Sequence, residues 1–103
     1  MYRSLGCWED RSDKAIPSIE GSNGLLKEDY WTRVGPIEKC LKVAASRSFT
    51  VFAIQNSGQC FTSEDARHTY WKYGMSSGCK NNGEGGGMAN HVYEIENGRF
   101  KNQ

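Results

Sequence analysis

Phe49-Thr50-Val51-Phe52-Ala53-Ile54-Gln55 is the stretch on which the fold turns. Aromatic and β-branched residues make it the best strand in the chain, and its centre is apolar on both faces. Such a strand belongs in the middle of a core, covered from both sides. Asn56-Ser57-Gly58 then makes a short turn, and Gln59-Cys60-Phe61 returns as the second arm of a hairpin. Upstream, Pro36 opens a helix, because its missing N–H and fixed φ suit the first helical position. Ile37, Cys40, Leu41 and Ala44 follow the i, i+3, i+4, i+7 spacing and give that helix one apolar face running to about Ser48. Lys39, Lys42 and Arg47 lie away from the centre of that stripe. Downstream, Thr62 with Asp65 three residues on has capping-box spacing and predicts a second helix over Ser63–Tyr73, stopped by Gly74.

Further out the signals weaken. His91–Ile95 alternates enough to be a closing strand, while Ser4–Trp8 and Ala15–Ile19 are short strand-like pieces in an otherwise irregular first third. Asn81–Gly87 (NNGEGGG) cannot hold regular structure cheaply and is expected to be a tight, irregular crossing. The expectation is an α+β fold: a small disulfide-stapled domain, its antiparallel sheet packed against one main helix plus a second short helix. At 103 residues the chain is a single domain, with a core over about 2–95 and a tail over 96–103.

Composition narrows the function classes. Thirteen Lys and Arg against 12 Asp and Glu leave a net charge of +1, without the basic surface that nucleic-acid binding demands. The longest purely apolar runs are four residues, Val51–Ile54 among them, so membrane insertion is not expected. Leu, Ile, Val and Phe together number only 17, and 12 aromatics with four cysteines supply what the aliphatics lack.

An even number of cysteines in a small, loop-rich chain reads as two disulfides formed in an oxidising compartment, hence an extracellular protein. The spacings of Cys7, Cys40, Cys60 and Cys79 contain no C-x-x-C, and neither His68 nor His91 sits in a zinc-finger register. Of the three possible pairings, the nested one, Cys40 with Cys60 and Cys7 with Cys79, is expected, because helix and hairpin are sequence neighbours that must pack. No charged segment leading into an apolar one opens the sequence, and Met1-Tyr2-Arg3 reads as an added start on an excised module.

Leu5-Gly6-Cys7-Trp8-Glu9-Asp10, Ile37-Glu38-Lys39-Cys40, Phe49–Gln55 and Cys60 together resemble the opening two-thirds of a WSC domain. That family begins "GC(Y/W)xD", carries a cysteine on an "xExC" helix, and continues through a "(Y/F)xxFxLQxxxxC" strand and return. WSC domains are similar to the wider PAN/apple group, in which a helix is stapled to a small antiparallel sheet. Ala15-Ile16-Pro17 and the Gly-Glu-Gly-Gly to Ala-Asn-His-Val-Tyr ending are also similar to modules repeated in extracellular proteins of marine invertebrates such as cnidarians. The chain departs from the WSC pattern in two places. Ala44-Ala45 stands where a second helix cysteine is usual, and Cys60 is followed by Phe61-Thr62-Ser63 rather than a cysteine-rich "CYCG". The resemblance implies the fold and an association with cell-wall or cell-surface polysaccharide, or with a protein assembly; it carries over no binding residue.

The residues themselves give little for catalysis. Glu9-Asp10 with Asp13, and Glu64-Asp65, are adjacent acids beside turns or at a helix start, where they serve as solvated charge or dipole partners rather than opposed carboxylates across a cleft. With the cysteines oxidised, only His68 and His91 remain to pair with a nucleophile. Glu84 and Asn90 could offer oxygen atoms to a sugar or a calcium ion, as could Asp10 and Asp13, but no calcium-loop pattern supports a metal and no cofactor is expected. Aromatics are the better lead. On the second helix Ala66, Tyr70 and Tyr73 share one face, Arg67 and Trp71 another, and both cannot be equally buried. Tyr30-Trp31 beside Arg33 poses the same question; the alternative for any of these rings is simply to fill the core. Tyr30, Trp31, Arg33, Arg67, Trp71, Glu84 and Asn90 are therefore the candidate ligand-binding residues. The expectation is a non-catalytic extracellular module for glycan recognition or adhesion, the alternative being protein–protein interaction.

Overall fold

A computed structural model describes residues 1–96; the rest of the expected tail, 97–103, lies outside the described residues. The central strand of the sequence reading is β2 in the following order of elements. β1 spans Tyr2–Glu9, α1 Pro36–Ser46, β2 Val51–Gln55, β3 Gln59–Thr62, α2 Ala66–Thr69 and β4 Ala89–Ile95. The strands form one antiparallel sheet of order β1-β4-β2-β3. The fold is α+β, with one main helix, a second short one and two disulfides.

β2 is buried at all five positions, and its alternating side chains feed two separate layers. Phe52 and Ile54 meet Leu26, Val43, Ala44 and Tyr93 on the face covered by α1. Val51 and Ala53 meet Ala15, Ile16, Ala66 and Val92 on the face covered by α2 and by residues 15–16 of the segment after β1. Cys40 on α1 is bonded to Cys60 on β3, and Cys7 on β1 to Cys79, so the bridges are nested. Among the described residues no helix is long and apolar enough to cross a membrane.

Several boundaries differ from the sequence reading. α1 stops at Ser46, and Ser48 turns the chain with φ +63°. The helix expected over Ser63–Tyr73 is a single turn. Thr62, expected to cap it, is the last residue of β3, and its hydroxyl donates to the Val51 carbonyl at 2.7 Å. Beyond Tyr70 the bonds shorten to i→i+3 turns, Lys72 N–H to Thr69 and Gly74 N–H to Trp71. Ala15–Ile19 is no strand of its own. Its backbone lies along the outer edge of β3, where Ile19 N–H donates to Cys60 and Thr62 N–H to Pro17. Residues 74–76 cover the outer edge of β1 in the same way, from Cys7 to Glu9. β4 begins at Ala89, two residues before the expected start. Tyr2 and Arg3 belong to β1, and the Tyr2 ring packs edge-on against Tyr93 and Phe52.

The glycine loop closes the end of the sheet. Asn56 N–H donates to the Gly86 carbonyl and Ser57 N–H to that of Gly85. A Cβ at Gly85 would fall within the van der Waals radius of the Ile54 carbonyl. Close backbone approach explains a glycine there.

Candidate functional site

Trp31 stands on a segment without helix or strand, yet the segment is held firmly from beneath. Arg33 is only 6 % exposed. Its guanidinium donates to both Glu20 carboxylate oxygens at 2.7 and 2.8 Å, and to the carbonyls of Gly58 and Glu28 at 2.9 Å. Glu20 also accepts the Cys60 N–H at 2.7 Å, which ties this pair to the disulfide-bearing strand. Paired, bidentate charges of this kind are strong in a desolvated site, and removing either partner is costly. Asp29 Oδ1 accepts the Trp31 N–H at 2.9 Å, a side-chain turn that sets the backbone just before the ring. Gly58 completes the seat: a Cβ there would lie 2.8 Å from both the Pro36 side chain and the Tyr30 carbonyl.

On this seat Trp31 is 58 % exposed, and its ring centroid lies 5.6 Å from that of half-buried Tyr30 with the planes 37° apart. Leu25 and Val34 are exposed nearby in the chain. The expectation that Arg33 offers a charged donor to a ligand beside Trp31 is corrected: both of its terminal nitrogens donate within the protein. Its buried Nε, 3.9 Å from a Glu28 carboxylate oxygen, makes no hydrogen bond among the described residues, so the side chain positions the loop.

Trp71 occupies a different layer. Ala66 is buried, and Tyr70 and Tyr73 pack on the second core layer, Tyr70 edge-on to Trp8 at 5.3 Å. That choice of face turns Arg67 and Trp71 outward, Trp71 being 52 % exposed. Thr69 Oγ1 donates to the Ala15 carbonyl at 2.5 Å, and Tyr73 to that of Asp13 at 2.5 Å, so this turn is also fixed. The Trp31 seat is held by Gly58 and Cys60 at the start of β3, whereas the Trp71 turn follows β3 and is held by Ala15 and Asp13, so the two rings stand on different supports.

Asn90 also leaves the set of ligand contacts, since it is fully buried. Gln55 Nε2 donates to its Oδ1 at 2.8 Å and to Asp10 Oδ2 at 2.7 Å, while Asp10 also accepts from Lys14 at 2.6 Å and from the Ala15 N–H at 2.9 Å. Burial pushes the Asp10 carboxyl pKa up, but these donors together outweigh it and hold it below the usual carboxylate range. Glu84 is half-buried in the glycine loop, where its carbonyl accepts the Lys80 N–H and its own N–H meets Asn82. Among the described residues no three His, Cys, Asp or Glu side chains gather as metal ligands.

One polar pair escaped the sequence reading. Ser4 Oγ lies 2.8 Å from His91 Nε2, and the imidazole stacks on Tyr93 at 4.6 Å with only 8° between the planes. Burial lowers the His91 pKa. Its Nδ1 meets no acceptor among the described residues, whereas a histidine that activates serine is oriented through that nitrogen. The pair closes the β1–β4 seam. Only the alternation of β4 hinted at which face His91 takes.

The geometry thus defines a small disulfide-stapled α+β domain with two exposed tryptophans, each on a fixed turn. The sequence matches no protein-family model and no curated protein.

Proposed function

We propose that this chain is a non-catalytic extracellular recognition module, WSC-like and PAN/apple-related in kind, that binds glycan through Trp31. The observation that carries this reading is the exposure of Trp31 on a loop whose backbone is already ordered by Arg33, Glu20 and Asp29. A ligand meeting such a loop need not order it, which removes one of the main costs of binding. Size favours a sugar. A large ring exposing just over half of its surface offers on the order of 100 Å², enough for one or two sugar rings. A stable protein interface needs about 800 Å² from each partner. Two disulfides suit an oxidising, extracellular setting.

The second reading, a protein partner, draws on Leu25 and Val34, two further exposed apolar side chains close to Trp31 in sequence. It requires self-association or capture of a partner, visible by sedimentation.

The deciding experiment is a glycan array followed by NMR titration of the hits, reading the three indole N–H signals. A hit that shifts the Trp31 signal, and binds Trp31→Ala about tenfold or more weakly, supports the reading. An array without hits, with an unmoved Trp31 signal in the presence of polysaccharide, overturns it.

A further inference from the structure

The turn after α2 carries a combination absent from the Trp31 seat: an exposed ring beside an exposed, uncommitted arginine. Arg67 lies on α2 and Trp71 in the turn that continues it, four residues on; the Tyr70 N–H still donates to the Ala66 carbonyl, and the bonds tighten to i→i+3 only after it. Residues at that spacing are surface neighbours. The other cations nearby are partnered. Arg11 pairs with Glu9 at 2.9 Å and Lys72 with Asp13 at 3.6 Å, and both lie over the Tyr73 ring, at 4.6 and 5.1 Å from its centroid. Arg67 makes no salt bridge among the described residues. The arginine of the Trp31 segment, by contrast, is buried in its own ion pair.

We infer that Trp71 and Arg67 form a second, separate saccharide site, selective for acidic sugars. The sugar ring stacks on the indole while its carboxylate or sulfate accepts from the guanidinium, whose planar fork suits such oxyanions. This rests on the reading of the domain as a sugar-binding module and adds a ligand class and a second valence to it. One molecule would then engage two different glycan chains, one at each exposed ring. Tyr70, Tyr73 and Thr69 are the positioning residues, since they fix the turn to the core layer and to residues 13–15.

The probes are a tetragalacturonate, its methyl-esterified form with the same rings but no charge, and a sulfated heparin tetrasaccharide. The readout is the set of indole N–H signals in NMR titrations. Trp8, whose Nε1 donates to the Leu5 carbonyl at 2.9 Å, serves as the internal reference. The expected result is that an acidic probe shifts the Trp71 signal, with binding about tenfold or more tighter than the ester and weakening as salt rises. Arg67→Gln removes that preference, Arg67→Lys keeps part of it, and Lys27→Gln, beside the Trp31 segment, leaves it unchanged. A shift with only one of the two acidic probes names the oxyanion. Equal binding of ester and acid, a response confined to Trp31, or no shift at Trp71 with either acidic probe overturns the second site. The last two results leave the Trp31 reading to be judged on its own array, and a failed array leaves Trp71 to be judged here.

Discussion

The hydroxyl of Tyr93 donates to the carbonyl of Gly83 across 2.6 Å, joining the central region of the sheet to the glycine loop. The same ring stacks on Phe52 and lies edge-on to Tyr2, so one side chain links β4, β2, β1 and the loop. Burial, with the charges of Tyr2, Glu38 and Glu84 behind it, pushes the phenol up to about 12.

The alkaline limb of stability follows from that shift. The folded state favours the neutral phenol, so its contribution is complete below pH 10 and is lost as pH rises from 10 towards about 12. The loss should approach 2–3 kcal/mol, at roughly 1.4 kcal/mol per pH unit. Tyr93→Phe is expected to cost about 1 kcal/mol at neutral pH through the missing hydrogen bond and to flatten the alkaline limb. Urea midpoints at neutral and alkaline pH check it; an unchanged alkaline fall in the variant would refute the assignment.

The acid limb has two components of the same sign. Asp10 is held low, so its contribution is present above the ordinary carboxylate range and disappears as pH falls through its folded pKa. His91 is lowered by burial, so the unfolded chain binds its proton first and stability begins to fall as pH drops below about 6.5. Asp10→Asn should cost about 2–4 kcal/mol at pH 7, less than a fully buried pair because Lys14 can turn to water. The variant should also show a shallower loss between pH 5 and 3, read as urea midpoints.

Two neighbouring glycines should respond oppositely. Gly85→Ala drives a methyl group into the Ile54 carbonyl and the Gln55 Cα, both backbone atoms that cannot step aside. A loss of about 3 kcal/mol or more is expected, or failure to fold. Gly87→Ala meets open space and should stay within about 1 kcal/mol of the parent. Thermal melts of the two variants decide the matter, and equal melting temperatures would show that the loop does not approach β2 as described.

The exposed tryptophans should separate from the core in the same kind of experiment. Trp31→Ala and Trp71→Ala are expected to leave folding within about 1–2 kcal/mol, whereas Phe52→Ala, fully buried between α1 and the sheet, should cost roughly 3–5 kcal/mol. Unfolding of both Trp variants would make these rings structural and withdraw both proposed sites.

What the sequence disclosed was whatever is periodic or forced between neighbours. β2 announced its two faces, α1 its stripe, and Cys40 and Cys60 their partnership, because each depends on residues close along the chain. α2 was overdrawn because Thr62 fits a cap equally well on paper, and only the tertiary fold assigns its hydroxyl to Val51. Arg33 and Asn90 were misplaced on the surface for a similar reason. Polar residues in irregular stretches look solvated until the fold supplies Glu20 to one and Gln55 to the other. The outward turn of Trp71 was half visible, as a conflict between two helix faces that burial of Tyr70 and Tyr73 resolved.

Met1 and Glu96 are hydrogen-bonded to each other in both directions, at 3.1 and 2.7 Å, so β1 and β4 present their ends at the same corner. A load applied between those two residues acts along the interstrand hydrogen bonds and opens them one at a time, as a zipper rather than a shear joint. The Cys7–Cys79 bridge then halts the tear. Only residues 1–6 and 80–96 can be drawn out, roughly 80 Å of slack at about 3.4 Å per residue, while β2, β3 and both helices stay inside the covalent loop. Pulled in this direction, the domain would behave as a mechanical fuse: it yields at low force, lengthens by a set amount and stops. In a force spectrometer a reductant should remove the stop and let the extension run on several-fold.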